Sequence, residues 1–79
     1  MRLTYDPEHN IAYLSFADRP AEVETVCVSD VLNVDLAEDG TVYGIELLDA
    51  NRQLLHGDGM RLVVTNAVSG TTIEVALSA

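Results

Sequence analysis

The chain has no lysine and a single cysteine. Cys27 alone forms no internal disulfide, and the paired cysteines of a zinc site are missing. The longest uninterrupted apolar run, Ile11–Leu14, is far too short to span a membrane. No apolar stretch follows Arg2, so a signal peptide is not expected and the cytoplasm of a prokaryotic cell is the expected compartment. There is no phosphate-binding glycine loop, no G-x-G-x-x-G and no Ser-His-Asp set. The expectation is a non-enzyme without cofactor or metal.

What is present is globular. Of the 79 residues, 48% are apolar and 22% charged, which is not the signature of disorder and suits one small domain over residues 1–79. The charge is one-sided, with 13 acids against four arginines and a net of −9. Residues 1–50 carry all of that excess, and residues 51–79 balance two acids with two arginines. Such a field repels nucleic-acid backbones and anionic membranes and attracts a basic protein. A domain this short, with no disulfide or zinc to staple it, is expected to gain stability from oligomerisation or a protein partner. A homodimer or a hetero-complex is therefore anticipated.

Two-residue alternation dominates and predicts a mainly β fold, α+β by strict count. Strands are expected near 2–5, 11–16, 22–28, 31–37, 41–48, 60–65 and 71–77. The first five form an antiparallel meander and the last two a C-terminal β-hairpin. Asp39-Gly40 suits a two-residue type I′ turn, which pairs Leu36 with Tyr43, Val34 with Ile45 and Leu32 with Leu47. The other face then pairs Asp35 with Gly44 and Asn33 with Glu46. Strand 11–16 is apolar enough to be central. Asp49 is a good N-cap for a short helix near 49–56 that Gly57 ends, with Leu54 and Leu55 docking on the sheet. Ala67–Gly70 makes a four-residue loop that pairs Val64 with Ile73 and Leu62 with Val75.

The stretches Y-D-P-E-H-N-I-A-Y-L-S-F (5–16) and V-D-L-A-E-D-G-T-V-Y-G-I-E-L-L-D-A (34–50) resemble the small prokaryotic domain-of-unknown-function family 2283 over roughly residues 2–55. The resemblance implies a compact antiparallel sheet with a short helix after the last motif strand. It implies no established activity. Some members are encoded beside small toxin-like proteins, which implies an antitoxin-like role for those. Residues 60–79 extend past where family members usually stop.

Candidate functional residues are few. His9 and His56 read as exposed loop histidines, and Cys27, among valines, as a buried inert thiol. Asp35 and Glu46 share a face with Asn33, an arrangement that suits a small ligand or a divalent cation. Loop 35–40 lacks the ligand spacing of a calcium loop. Gly44 marks a bulge, a close backbone approach, or room for a side chain such as Tyr13. The leading expectation is a protein-binding module whose acids Asp35, Glu38, Asp39, Glu46 and Asp49 meet a basic partner. The alternatives are a ligand or cation site at Asn33, Asp35 and Glu46, and a purely structural homo-oligomer.

Overall fold

The computed structural model describes residues 1–17, 22–54 and 60–77. Five strands form one antiparallel sheet: β1 (Arg2–Asp6), β2 (Ile11–Ser15), β3 (Val23–Ser29), β4 (Leu32–Ala37) and β5 (Val42–Leu48). A short helix, α1 (Ala50–Leu54), follows β5, and β6 (Arg61–Thr65) pairs with β7 (Thr72–Ala76) in a separate hairpin. The expected Leu55 contact, the end of the helix, His56 and the loop 56–59 lie outside the described residues. The mainly β class, with one short helix and a C-terminal hairpin, is as the alternation indicated.

The strand order is β1-β2-β5-β4-β3. This corrects the simple meander, which would set β2 beside β3. The chain instead makes the hairpin β1–β2, crosses to the far edge, and returns through β3 and β4 to lay β5 against β2. β2 is thereby flanked on both sides, as its apolar sequence requires, although only Ala12 in it is fully buried.

The register builds two distinct faces. One apolar row, Leu3–Leu14–Ile45–Val34–Val26, crosses all five strands, with Leu32 and Leu47 paired beside it. The opposite face carries two polar rows. These run Thr4–Tyr13–Glu46–Asn33–Cys27 and Arg2–Ser15–Gly44–Asp35–Thr25.

The β4–β5 pairing agrees with the sequence reading from Leu32↔Leu47 to Asp35↔Gly44, and then departs from it: Leu36 pairs with Val42, and Tyr43 is the extra residue of a bulge. The turn is not type I′. Gly40 N–H donates to Ala37 O at 2.9 Å and Gly40 has φ 86°, while Asp39 does not enter the positive-φ region. That is a type I turn followed by a left-handed glycine, the three-residue hairpin solution. The Asp39 carboxylate selects it by accepting both Thr41 N–H (3.0 Å) and Thr41 Oγ1–H (2.7 Å). The tail hairpin has the expected Val64↔Ile73 and Leu62↔Val75 pairs. Its four-residue loop is closed by Gly70 N–H on Asn66 O at 2.8 Å.

The helix buries Ala50 and is anchored by a set of polar contacts. Asp49 occupies the N-cap, its carbonyl accepting Gln53 N–H at 3.1 Å, but its carboxylate bonds Arg52 (3.0 Å) and Asn10 (3.3 Å). The capping acceptor comes from the β1–β2 turn. Asn10 Oδ1 takes Asn51 N–H at 2.7 Å, and Asn10 O takes Ala50 N–H at 3.1 Å. Tyr5 Oη–H donates to Asn51 Oδ1 (2.6 Å), and Gln53 Nε2 donates to Leu48 O (2.6 Å) and Val31 O (3.0 Å). Orphan helix donors and two turns are thus satisfied together.

Candidate functional site

The six residues singled out by sequence fall into three places. Asn33, Asp35 and Glu46 share the polar face in mid-sheet, Glu38 and Asp39 sit at the β4–β5 turn, and Asp49 lies at the helix start. They do not converge.

On the polar face the carboxylates are engaged by neutral donors. Tyr13 Oη–H donates to Asp35 Oδ2 and Thr25 Oγ1–H to Asp35 Oδ1, both at 2.6 Å. Asn33 Nδ2 donates to Glu46 Oε1 at 2.9 Å. Tyr13 reaches Asp35 by crossing over Gly44, where an added Cβ would overlap the phenol. Of the readings of Gly44, room for Tyr13 is the one the geometry supports, and the bulge falls at Tyr43 instead. Burial, and then the bond to the Asp35 carboxylate, push the Tyr13 phenol up to about 12. It therefore stays protonated at neutral pH, as a donor and not a base. Among the described residues, no group of three or more His, Cys, Asp and Glu side chains is placed to hold a metal ion. The polar face acts as a hydrogen-bonded brace across four strands, β2, β5, β4 and β3. Its Tyr13 and Thr25 were not assigned to Asp35 from sequence, because the β2–β5 and β3–β4 registers were needed to place them.

Cys27 is exposed, which corrects the buried thiol. β3 is an edge strand and every residue in it is exposed, so its valine neighbours confer no burial. Sγ–H makes a weak bond to Ser29 O at 3.4 Å. His9 is exposed as anticipated and bonds Asp6 at 2.7 Å. Asp6 also accepts the His9 and Glu8 N–H groups; the His9 N–H first, then the His9 ring, hold its carboxyl below the ordinary value.

A second arrangement lies where β3 begins and β4 ends. Glu22, Glu24 and Glu38 line an open depression of about 260 Å³ together with Val23, Leu36 and Ala37, of which Leu36 shares the face of Glu24. All three glutamates are exposed. Among the described residues the arginines lie elsewhere: Arg52 pairs with Asp49 (3.0 Å), Arg61 with Glu74 (3.3 Å), and Arg2 is on the opposite edge strand. Sequence identified Glu38 but not Glu22 and Glu24, since only the β3–β4 register brings them to it. No helix among the described residues is long and apolar enough to cross a membrane.

A model of the family described as "Protein of unknown function (DUF2283)" matches residues 2–51. No curated protein and no solved structure matches the chain.

Proposed function

This chain belongs to the DUF2283 family, whose description assigns no activity, and we propose that it is a non-catalytic protein-binding module that takes a basic partner at the Glu22–Glu24–Glu38 depression. The observation that carries this is the combination of three exposed glutamates, Leu36 beside Glu24 and an adjacent open strand edge, with the described arginines all placed elsewhere. An arginine or lysine has the matching shape: its aliphatic stem lies on Leu36 while its head meets the carboxylates. The free edge of β3 accepts the backbone of an extended segment, so affinity comes from strand pairing and preference from charge. The net charge of −9 steers such a partner to the surface. In this reading the chain neutralises a basic protein, the antitoxin-like role that the family resemblance implies. It does so in the cytoplasm, where a lone exposed thiol such as Cys27 stays reduced.

The test is a titration with a short alternating Arg-Val peptide followed by amide NMR. Shifts are expected at residues 22–28 and 36–39, weakening as salt is raised. Glu22→Lys with Glu38→Lys is expected to abolish them. Shifts spread evenly over all acidic positions, or none at all, would refute the proposal.

A further inference from the structure

Among the described residues, the apolar face of the tail hairpin is exposed and the apolar face of the five-stranded sheet is only partly covered. On the sheet, Leu14, Leu32, Val34, Ile45 and Leu47 are only half-buried, α1 covers one end, and among the described residues no large side chain is fully buried. On the hairpin, Leu62, Val64, Ile73 and Val75 stand on one face, with Val64 and Ile73 exposed by 54% and 60%. A two-stranded hairpin with an open apolar face is marginal by itself in water.

Area and charge say what covers these faces. The chain exposes 5908 Å², whereas a folded monomer of this mass exposes about 4,700 Å². The excess, about 1,200 Å², exceeds the roughly 800 Å² per partner that a standard stable interface removes. Joining two sheets directly would bring together two bodies of net −9 each, since residues 1–50 carry the whole excess. The tail beyond residue 50 is neutral, so it approaches an acidic body without that repulsion. Hairpin against hairpin would leave both sheet faces open. Hairpin against sheet closes all four faces of a pair.

We propose that the β6–β7 hairpin of one copy docks its Leu62–Val64–Ile73–Val75 face on the apolar sheet face of a second copy, and that the exchange is reciprocal. The contact is isologous in the pair and closes as a dimer. Glu24 and Leu36 of the acidic depression lie on that same sheet face, beside Val26 and Val34, so the hairpin would dock next to the depression.

The full-length chain at micromolar concentration is expected to scatter light as a dimer. In a 1:1 mixture of isotope-labelled and unlabelled chains, filtered NOEs are expected between the Val64 and Ile73 methyls of one copy and the Val34 and Ile45 methyls of the other. Val64→Asp is expected to raise the dimer dissociation constant by ~tenfold or more, because the interface would bury an unpaired carboxylate. Val68→Asp, at a loop position exposed by 99%, should leave the mass unchanged. A monomeric mass, or intermolecular NOEs confined to hairpin–hairpin or sheet–sheet pairs, would overturn the inference. Should Val64→Asp fail to fold, the mass and the filtered NOEs of the unsubstituted chain decide it.

Discussion

Gly44→Ala tests the brace on the polar face. The new Cβ would occupy the place of the Tyr13 phenol, whose outer ring atoms are the ones it meets, so the ring must swing aside while the backbone stays. Swinging aside gives up the Tyr13–Asp35 bond, a hydrogen bond to a charged acceptor worth roughly 1.5–3 kcal/mol. Alanine returns roughly 0.5–1 kcal/mol, since glycine in mid-strand loses more chain entropy on folding. The net is a destabilisation of about 1.5 kcal/mol, which for a domain of this size lowers Tm by roughly 6–12 °C. Urea unfolding followed by far-UV circular dichroism measures it, in a cycle with Tyr13→Phe. On the phenylalanine background the ring must still move but there is no hydrogen bond left to lose, so Gly44→Ala should cost clearly less. An equal cost on both backgrounds would refute the account of Gly44.

The same substitution has a spectroscopic signature. In the folded protein the Tyr13 phenol titrates at about 12, against an ordinary value of 10.0. Its folded pKa is raised, so the stability it contributes is complete below pH 10 and is lost as pH rises through about 12. Ultraviolet titration should therefore show one of the three tyrosines ionising late, and in Gly44→Ala that phenol should move back toward 10.

Three further outcomes follow from other parts of the fold. Asn10→Ala should cost more than Asn10→Gly in urea unfolding: both lose the helix cap, worth roughly 1 kcal/mol, but only alanine is strained at φ 60°. Asp6 and Asp39 are depressed, Asp6 chiefly by the His9 N–H and Asp39 chiefly by the Thr41 hydroxyl, so their contribution is present above about pH 4 and lost as pH falls through the lower folded values. Asp6→Asn and Asp39→Asn should each flatten the acid limb of stability against pH, and carboxyl NMR titration should place both midpoints below the ordinary range. Cys27 should react with a thiol reagent in the native protein as fast as in urea; slow labelling until unfolding would mean that the β3 edge is covered.

Local chemistry was legible in the sequence and long-range pairing was not. The alternation through Leu32–Asp35 and Gly44–Leu47 fixed that register because a one-residue slip would expose a whole apolar row. The last pair, Leu36 with Tyr43, was misassigned because Asp39-Gly40 reads as type I′ unless the Asp39 carboxylate's bonds to Thr41 are known. The order of strands was misread for a different reason. Nothing within β2 or β3 distinguishes adjacent strands from strands set far apart in the sheet, and the closing pair β2–β5 joins residues 29 (Ser15 to Gly44) to 37 (Ile11 to Leu48) positions apart. Cys27 follows from that error, since a thiol among valines is buried in a central strand and exposed in an edge strand. Asp49 was placed correctly at the helix start, yet the capping oxygen belongs to Asn10, a partner that only the folded chain brings near.

The residues that carry the family resemblance are largely accounted for by bonds that hold the fold. Tyr5, Asp6 and Asn10 close the first turn and cap the helix; Tyr13, Asp35 and Gly44 form one brace; Asp39 and Gly40 make the hairpin turn. Each bond is already satisfied within the chain, so spending it on a ligand would destabilise the sheet. The surfaces proposed here for partners add other positions: Glu22 and Glu24 beside Glu38, and a hairpin that begins at Arg61, beyond the matched residues 2–51. For this chain, partner specificity should therefore follow Glu22, Glu24 and Glu38, and dimerisation should follow β6–β7. Gly44→Ala should alter stability before it alters either, and binding lost at temperatures where that variant is still fully folded would show that the brace itself is part of the interface.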